Sequence, residues 1–312
     1  VSYEEVQPII ERARRGEQNL FWPTKVKLFA KSSGTTNAKS KFIPVSQEAL
    51  EECHFKAGKD VLTIYCNNNP DTEMFSGKSL TLGGSNQIND FNNDSYYGDL
   101  SAILIKNSPY WVELIRTPDR SIALLDEFEK KIEEIQRTTH KENVTTIAGV
   151  PSWMLILMKH ILDKSGKDNL LEVWPNLELF IHGGINFGPY REQYEKLIPS
   201  ADMNYMETYS ATEGFFGIQD QKDSDDMLLM LDYGIYYEFI PRDEMENEDA
   251  KTISLSEVEL GETYALVIST NAGLWRYKIG DTIRFTSLSP YRVQVAGRIK
   301  HFINAFGEEL II

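Results

Sequence analysis

The chain changes its hydrophobic rhythm once, near residue 227, from a stretch that alternates helices with strands to one made almost wholly of strands. Two short apolar runs, Phe29-Ala30 and Lys41-Phe42-Ile43-Pro44-Val45, predict strands on either side of a polar loop. Ser46 is then placed to cap a helix whose apolar positions Leu50, Cys53, Ala57 and Val61 keep one face toward a core. From Asn67 to Asp94 the sequence is polar and rich in asparagine, which predicts a loop with Gly83-Gly84-Ser85 as a turn. Helices are predicted from Ile122 to Gln136, from Pro151 to Leu162 with its proline in the first turn, and from Tyr190 to Leu197. A short strand from Leu177 to Ile181 ends in Gly183-Gly184, and the alternation as a whole predicts an α/β layer. Beyond it, strands are expected over 228–240, 257–259, 264–270, 282–286 and 291–295, giving a β-rich, barrel-like part. The acidic stretches at 223–226 and 243–249 read as solvated connections. No internal repeat or low-complexity tract interrupts the chain.

The loop between the first two predicted strands carries the most chemistry. Ser32-Ser33-Gly34-Thr35-Thr36 is a run of small hydroxyl residues around a glycine, where backbone N–H groups and hydroxyls can approach an anion closely. It lies between strands and opens no helix, so it is not a Walker loop; the one Walker-like run, Gly77-Lys78-Ser79, has Thr72 where that motif needs glycine. As residue types alone, Ser, Thr and Gly also suit an ordinary loop. Three further motifs follow in order: Tyr209-Ser210-Ala211-Thr212-Glu213-Gly214 after a predicted strand, Gly273-Leu274-Trp275-Arg276-Tyr277-Lys278-Ile279-Gly280-Asp281, and Gly297-Arg298-Ile299-Lys300 ahead of Asn304 and Gly307.

These four motifs together resemble the adenylate-forming superfamily, and within it the auxin-responsive Gretchen Hagen family of acyl acid-amido synthetases. The resemblance runs through Gly149-Val150-Pro151-Ser152-Trp153, Phe180-Ile181-His182-Gly183-Gly184 and Asp232-Tyr233-Gly234, and so covers nearly the whole chain. It implies the large N-terminal domain of such an enzyme, with mixed sheets flanked by helices and a β-rich later part. Residues 1–226 would form an α/β core for nucleotide and acyl acid, 227–296 a β-rich subdomain, and 297–312 a hinge toward a C-terminal domain. The family's early N-terminal helices and that C-terminal domain are expected to lie outside these residues, which makes the activity of the segment by itself an open expectation.

The resemblance also assigns roles. Ser32, Ser33, Gly34, Thr35, Thr36 and Lys41 would hold the β and γ phosphates of ATP. Tyr209 would lie flat against adenine, with Gly183 and Gly184 letting backbone approach the base. Thr212 would donate to the α-phosphate, and Glu213 would ligate Mg2+, a hard cation that takes one or two carboxylates from protein and the rest from phosphate and water. Asp281 would accept from the ribose hydroxyls, Arg298 would grip ribose or phosphate with its fork of donors, and Lys300 would sit at the hinge. Taken singly, Tyr209 also fits an edge-of-core aromatic, Asp281 a β-turn, and Glu213 and Lys300 a solvated surface. His182, at a strand end, is expected to be structural, while Trp153 and Met154 fit either an acid pocket or the core.

Composition narrows the class without choosing a function. At 312 residues and 41% apolar content the chain can bury a sizeable core. Its net charge of -15 argues against a nucleic-acid-binding face, which must neutralise phosphates with lysine and arginine. No apolar run approaches the ~20 residues needed to span a bilayer, and Cys53 and Cys66 are the two cysteines, so a reducing, cytoplasmic setting without a membrane partner is expected. The expected reaction joins a small carboxylic acid to an amino-acid amine at the expense of ATP. A thiol acceptor, as in acyl-CoA ligases, and a non-catalytic nucleotide-binding module are the other two readings.

Overall fold

The computed structural model describes residues 1–32, 40–84, 86–88, 95–222, 224–247, 249–299, 302–305 and 308–311, with 86–88, 302–305 and 308–311 described through their backbone. The chain opens with helix α1 (Tyr3–Arg14) and strands β1 (Leu28–Ser32) and β2 (Lys41–Val45); a π-helical segment, Ala49–Phe55, then runs into α2 (Lys56–Asn68). Strands β3 (Lys78–Thr81), β4 (Asn86–Ile88) and β5 (Tyr96–Gly98) follow, then α3 (Leu100–Asn107), α4 (Tyr110–Ile115), the short β6 (Arg116–Thr117) and α5 (Arg120–Ala123). The alternating part continues with α6 (Phe128–Thr139), β7 (Val144–Gly149), α7 (Pro151–Ser165), β8 (Leu179–Gly183), α8 (Gly188–Leu197) and β9 (Asn204–Ala211). After it come β10 (Gly214–Ile218), β11 (Met227–Leu229), β12 (Ile235–Pro241), β13 (Thr263–Thr270), β14 (Tyr277–Leu288), β15 (Tyr291–Arg298), β16 (Phe302–Ala305) and β17 (Glu308–Ile311).

Packing divides these elements into two compact units that interleave along the chain. One holds Val1–Ile64, Gln87–Tyr97 and Tyr209–Ile312, the other Tyr65–Asn86 and Gly98–Thr208. The partition follows contacts, whereas the segments 1–226, 227–296 and 297–312 followed the change of hydrophobic rhythm.

The second unit is a parallel sheet in the order β6-β3-β7-β8, with residues 204–208 of β9 paired beside β8. Parallel strands covered by helices are buried, and Leu80, Ile147 and Phe180 are fully so. They share one core with Leu157, Ile161 and Trp174, whose indole N–H donates to the Thr139 carbonyl at 3.1 Å. Helix α7 starts with Pro151 at its first turn and stops at Gly166, whose φ of +65° satisfies a left-handed C-cap. Met154 belongs to this core, while Trp153 is 36% exposed and rests edge-on against Phe128, 4.7 Å between ring centroids.

The first unit is built of antiparallel strands. Its larger ladder runs β12-β13-β14-β15-β11-β10, and β1 and β2 form a hairpin in a smaller sheet with β5 and β4. Phe239, Tyr264 and Phe285 pack edge to face between the long strands. Ser46 caps the helical segment after β2 as expected, accepting from Ala49 N at 3.0 Å while its own hydroxyl donates to the Asn271 carbonyl at 2.8 Å. Leu50, Cys53, Ala57 and Val61 are all buried, although the first turns are π-helical.

Several boundaries differ from the pattern reading. The expected loop from Asn67 to Asp94 contains β3, an interior strand of the parallel sheet; Lys78-Ser79-Leu80-Thr81 has one apolar residue and gains its conformation from two neighbours. The helix expected from Ile122 to Gln136 is two helices, broken between Ala123 and Phe128. The strand expected over 228–240 folds at Gly234, φ +67°, where Tyr233 is buried and donates its hydroxyl to Asp60 at 2.8 Å. Around Glu257 the chain forms a short 3-10 turn at Leu255–Glu257, capped by Ser254, and no strand.

Candidate functional site

The hairpin of β1 and β2 sets Ser32 directly opposite Lys41 at its loop end. Ser33, Gly34, Thr35 and Thr36, which link those strands, lie outside the described residues, as does Lys300. Ser32 and Lys41 therefore mark where the hydroxyl-rich loop is anchored. In the same unit, β9 ends at Ala211 and β10 begins at Gly214, leaving Thr212 and Glu213 as a two-residue turn. Thr212 Oγ1 donates to Glu213 Oε2 at 2.6 Å.

Asp281 comes to this turn from β14. It pairs in register with Arg298 of β15, and the Arg298 guanidinium Nε lies 3.1 Å from Asp281 Oδ1. The other carboxylate oxygen, Oδ2, accepts the Tyr209 hydroxyl at 2.8 Å. Tyr209 is 6% exposed, with its ring 4.9 Å from that of Phe216. Of the assigned residues, Tyr209, Thr212, Glu213, Asp281, Arg298 and Lys41 thus belong to one constellation of this unit, and two motifs 72 residues apart meet in one hydrogen bond.

Electrostatics ties the group together. Burial pushes the Asp281 carboxyl above its ordinary value, against the pull of Arg298, the Tyr209 hydroxyl and Lys41. Glu213 is likewise pushed up, first by burial and then by the neighbouring Asp281 charge, while Thr212 and Lys41 oppose the rise. Lys41 is therefore the cation that acts on both carboxyls. Two carboxyls close together in a poorly solvated place favour a bound cation, because ionising both without one is costly.

Gly183 and Gly184 lie at the end of β8 in the other unit. Gly183 has an internal reason to lack a side chain, since a methyl there would overlap the Thr208 carbonyl of the adjacent strand; Gly184 has φ +82°. His182 beside them is 3% exposed, stacks on Phe187 at 4.2 Å, and is held down to about 3 by burial and then by Arg191, which suits the structural role expected of it. In the Gly273–Asp281 motif, Gly273 at φ +90° lets the chain pass against Phe21, and Arg276 bonds Glu238 Oε2 at 3.0 Å and Thr252 Oγ1 at 2.8 Å. The residue that sequence reasoning passed over is Tyr277, a buried phenol whose environment includes Glu213. Its presence in the same motif as Asp281 was the signal available.

Two family models account for most of the chain: residues 1–203 match the GH3 family N-terminal domain and residues 228–298 the GH3 family central domain. Indole-3-acetic acid-amido synthetase GH3.3 of Arabidopsis thaliana is 31% identical over 158 residues, 47% of this chain and 26% of that protein. Jasmonoyl-L-amino acid synthetase JAR4 of Nicotiana attenuata is 26% identical over 352 residues, 91% of this chain and 59% of that protein. The chain thus spans less than two thirds of these relatives. Among solved structures, AtGH3.15 acyl acid amido synthetase in complex with 2,4-DB aligns with a TM-score of 0.78 at 17% identity, covering 98% of this chain and 62% of that one. A 2-hydroxyisobutyryl-CoA ligase in complex with 2-HIB-AMP and CoA aligns at 0.59 with 13% identity, over 99% of this chain and 60% of that one. These likenesses place the chain in the adenylate-forming fold, and the model spanning residues 1–203 shows that it belongs to the GH3 family.

Proposed function

We propose that this chain carries the nucleotide and acyl-acid part of a ligase that adenylates a small carboxylic acid with ATP and passes the acyl group to an amino-acid amine. The observation that carries the reading is the meeting of Tyr209, Asp281 and Arg298, with Lys41 acting on both Asp281 and Glu213. A tyrosine ring, a carboxylate and a guanidinium offer respectively a stacking surface, an acceptor for ribose hydroxyls and a phosphate-directed fork. The acid and amine substrates are those of the relatives' class, since the matched amido synthetases carry them in their names.

The chemistry solves an energetic problem. A carboxylate repels nucleophiles and has no leaving group. Its oxygen attacks the α-phosphorus of ATP, the bond to the bridging oxygen breaks, and pyrophosphate departs. The amine nitrogen then attacks the acyl carbon, AMP departs, and the amine proton passes to water. Lys41, with Ser32 at the anchor of the hydroxyl-rich loop, would stabilise the negative charge that develops on pyrophosphate. Thr212 would donate to the α-phosphate, Tyr209 would hold adenine, and Ser33, Gly34, Thr35 and Thr36 would hold the distal phosphates. Arg298 would grip ribose or phosphate with its fork of donors, and Lys300 would serve the later half of the reaction.

The donor set fits Mg2+. Glu213 is a carboxylate raised by burial and by a neighbouring carboxyl, and among the described residues no cluster of three or more His, Cys, Asp or Glu forms a cage. A divalent ion held by Glu213 would complete its shell with phosphate and water and would neutralise charge on the departing oxygens. Among the described residues no helix is long and apolar enough to cross a membrane.

The test is pyrophosphate release from MgATP against a panel of carboxylic acids, repeated with amino acids and with CoA, followed by mass spectrometry. Acid-dependent pyrophosphate with an amide product supports the reading. A thioester would replace the amine by a thiol. ATP binding with no acid-dependent release, in this chain and in a longer one, would leave only nucleotide binding.

A further inference from the structure

A second tyrosine belongs to this constellation, and among the described residues its hydroxyl makes no well-formed hydrogen bond. Tyr277, at the start of β14, is 1% exposed and has no hydrogen-bond partner among the described residues. A buried phenol almost always finds an acceptor, so an orphaned one asks for a reason. After burial the Glu213 carboxylate acts on the phenol most strongly, by its charge and also as an acceptor within reach of the hydroxyl.

Strand irregularity explains how this came about. Lys278 pairs with Val267, yet Thr282 pairs with Ala265, so β14 bulges between them, and Gly280 takes φ +95° within the bulge. Bulges re-aim side chains, and this one brings Tyr277 and Asp281 of a single strand to the turn that follows β9. The outcome is two tyrosine and carboxylate pairs in crossed order. Tyr209 precedes Glu213 and bonds Asp281 at 2.8 Å; Tyr277 precedes Asp281 and turns its hydroxyl to Glu213, short of a well-formed bond. The well-formed side-chain bond that Glu213 accepts comes from Thr212, through Oε2 at 2.6 Å.

We propose that Tyr277 is a positioning residue for Glu213, its hydroxyl closing onto that carboxylate when ATP and its divalent ion bind. Thr212 is then released toward phosphate, and Tyr277 keeps the carboxylate turned to the ion. This inference rests on the nucleotide reading above.

Calorimetric titration of wild-type protein, Tyr277→Phe, Glu213→Gln and the double variant with ATP, in EDTA and in Mg2+, tests it. Tyr277→Phe removes an oxygen with no well-formed bond among the described residues, so the melting temperature is expected to stay at or above that of the wild type. Affinity in EDTA should stay the same, affinity in Mg2+ should fall about tenfold, and in the Glu213→Gln background the same change should have no further effect. A wild-type affinity indifferent to Mg2+ would overturn the metal assignment at Glu213 and this inference with it. A Mg2+-dependent wild type matched by Tyr277→Phe would overturn the Tyr277 role alone. So would a marked loss of stability in Tyr277→Phe, which would reveal a structural partner, or a tenfold loss that persists without Glu213.

Discussion

Tyr209 and Asp281 share a buried hydrogen bond of 2.8 Å, the phenol donating to Oδ2, although 72 residues separate them along the chain. Because Arg298 takes the other oxygen, the carboxylate is held on both sides and in turn fixes the plane of the tyrosine ring. Tyr209→Phe keeps the ring and leaves Oδ2 without its donor. A loss of about 1–2 kcal/mol in urea unfolding is expected, together with a raised KM for ATP and an unchanged KM for the acid. Equal rises in both constants would mean that the bond serves the fold and not the nucleotide.

Lys41 and Glu213 act on the charge that develops during adenylation. Lys41→Ala and Glu213→Ala should each slow acid-dependent pyrophosphate release roughly a hundredfold, equivalent to ~3 kcal/mol of barrier. Circular dichroism and the melting temperature should remain near wild type, since neither side chain belongs to the apolar core. Full turnover in a folded Glu213→Ala protein would remove the metal assignment.

His182 supplies a dependence of stability on pH. Its folded value, about 3, lies below the ordinary 6.5, so the unfolded chain binds the proton more tightly. Stability is complete above pH 6.5 and falls as the pH drops toward 3, by roughly 3–5 kcal/mol in all. His54, buried and held down to about 4, adds in the same direction. Urea midpoints compared at pH 7.5 and 5 should therefore differ in the wild type, and His182→Gln should reduce that difference. An unchanged slope in the variant would show that the imidazole is solvated.

Gly183→Ala tests whether that glycine is needed by the sheet. The added methyl would meet the Thr208 carbonyl, a backbone atom that cannot yield without parting β8 from β9. A loss of about 2–3 kcal/mol or insoluble protein is expected. A stable Gly183→Ala protein with weakened ATP binding would instead place the requirement at the nucleotide.

Elements with their own punctuation could be read ahead of the structure. Ser46 announced a helix and does cap it; Pro151 opened α7 where it should; the apolar run at Tyr264–Thr270 became all of β13 but its first residue. Elements whose conformation is lent by neighbours could not. β3, with Leu80 as its lone apolar residue, reads as loop until β6 and β7 pair with it. The break at Gly234 within an apolar stretch depends on Tyr233 finding Asp60.

The candidate site divides along the same line. Amino-acid order alone supplied the short motifs, because capping, turn chemistry and residue type are local properties, and it supplied the residues from which the resemblance to an acyl acid-amido synthetase was drawn. Tertiary structure decided which of those residues touch: a hairpin turn sets Glu213, a bulge in β14 aims Asp281 and Tyr277, and burial raises both carboxyls. Contacts between distant residues are fixed by strand register and by the exclusion of water, and neither is written in any one segment of the chain.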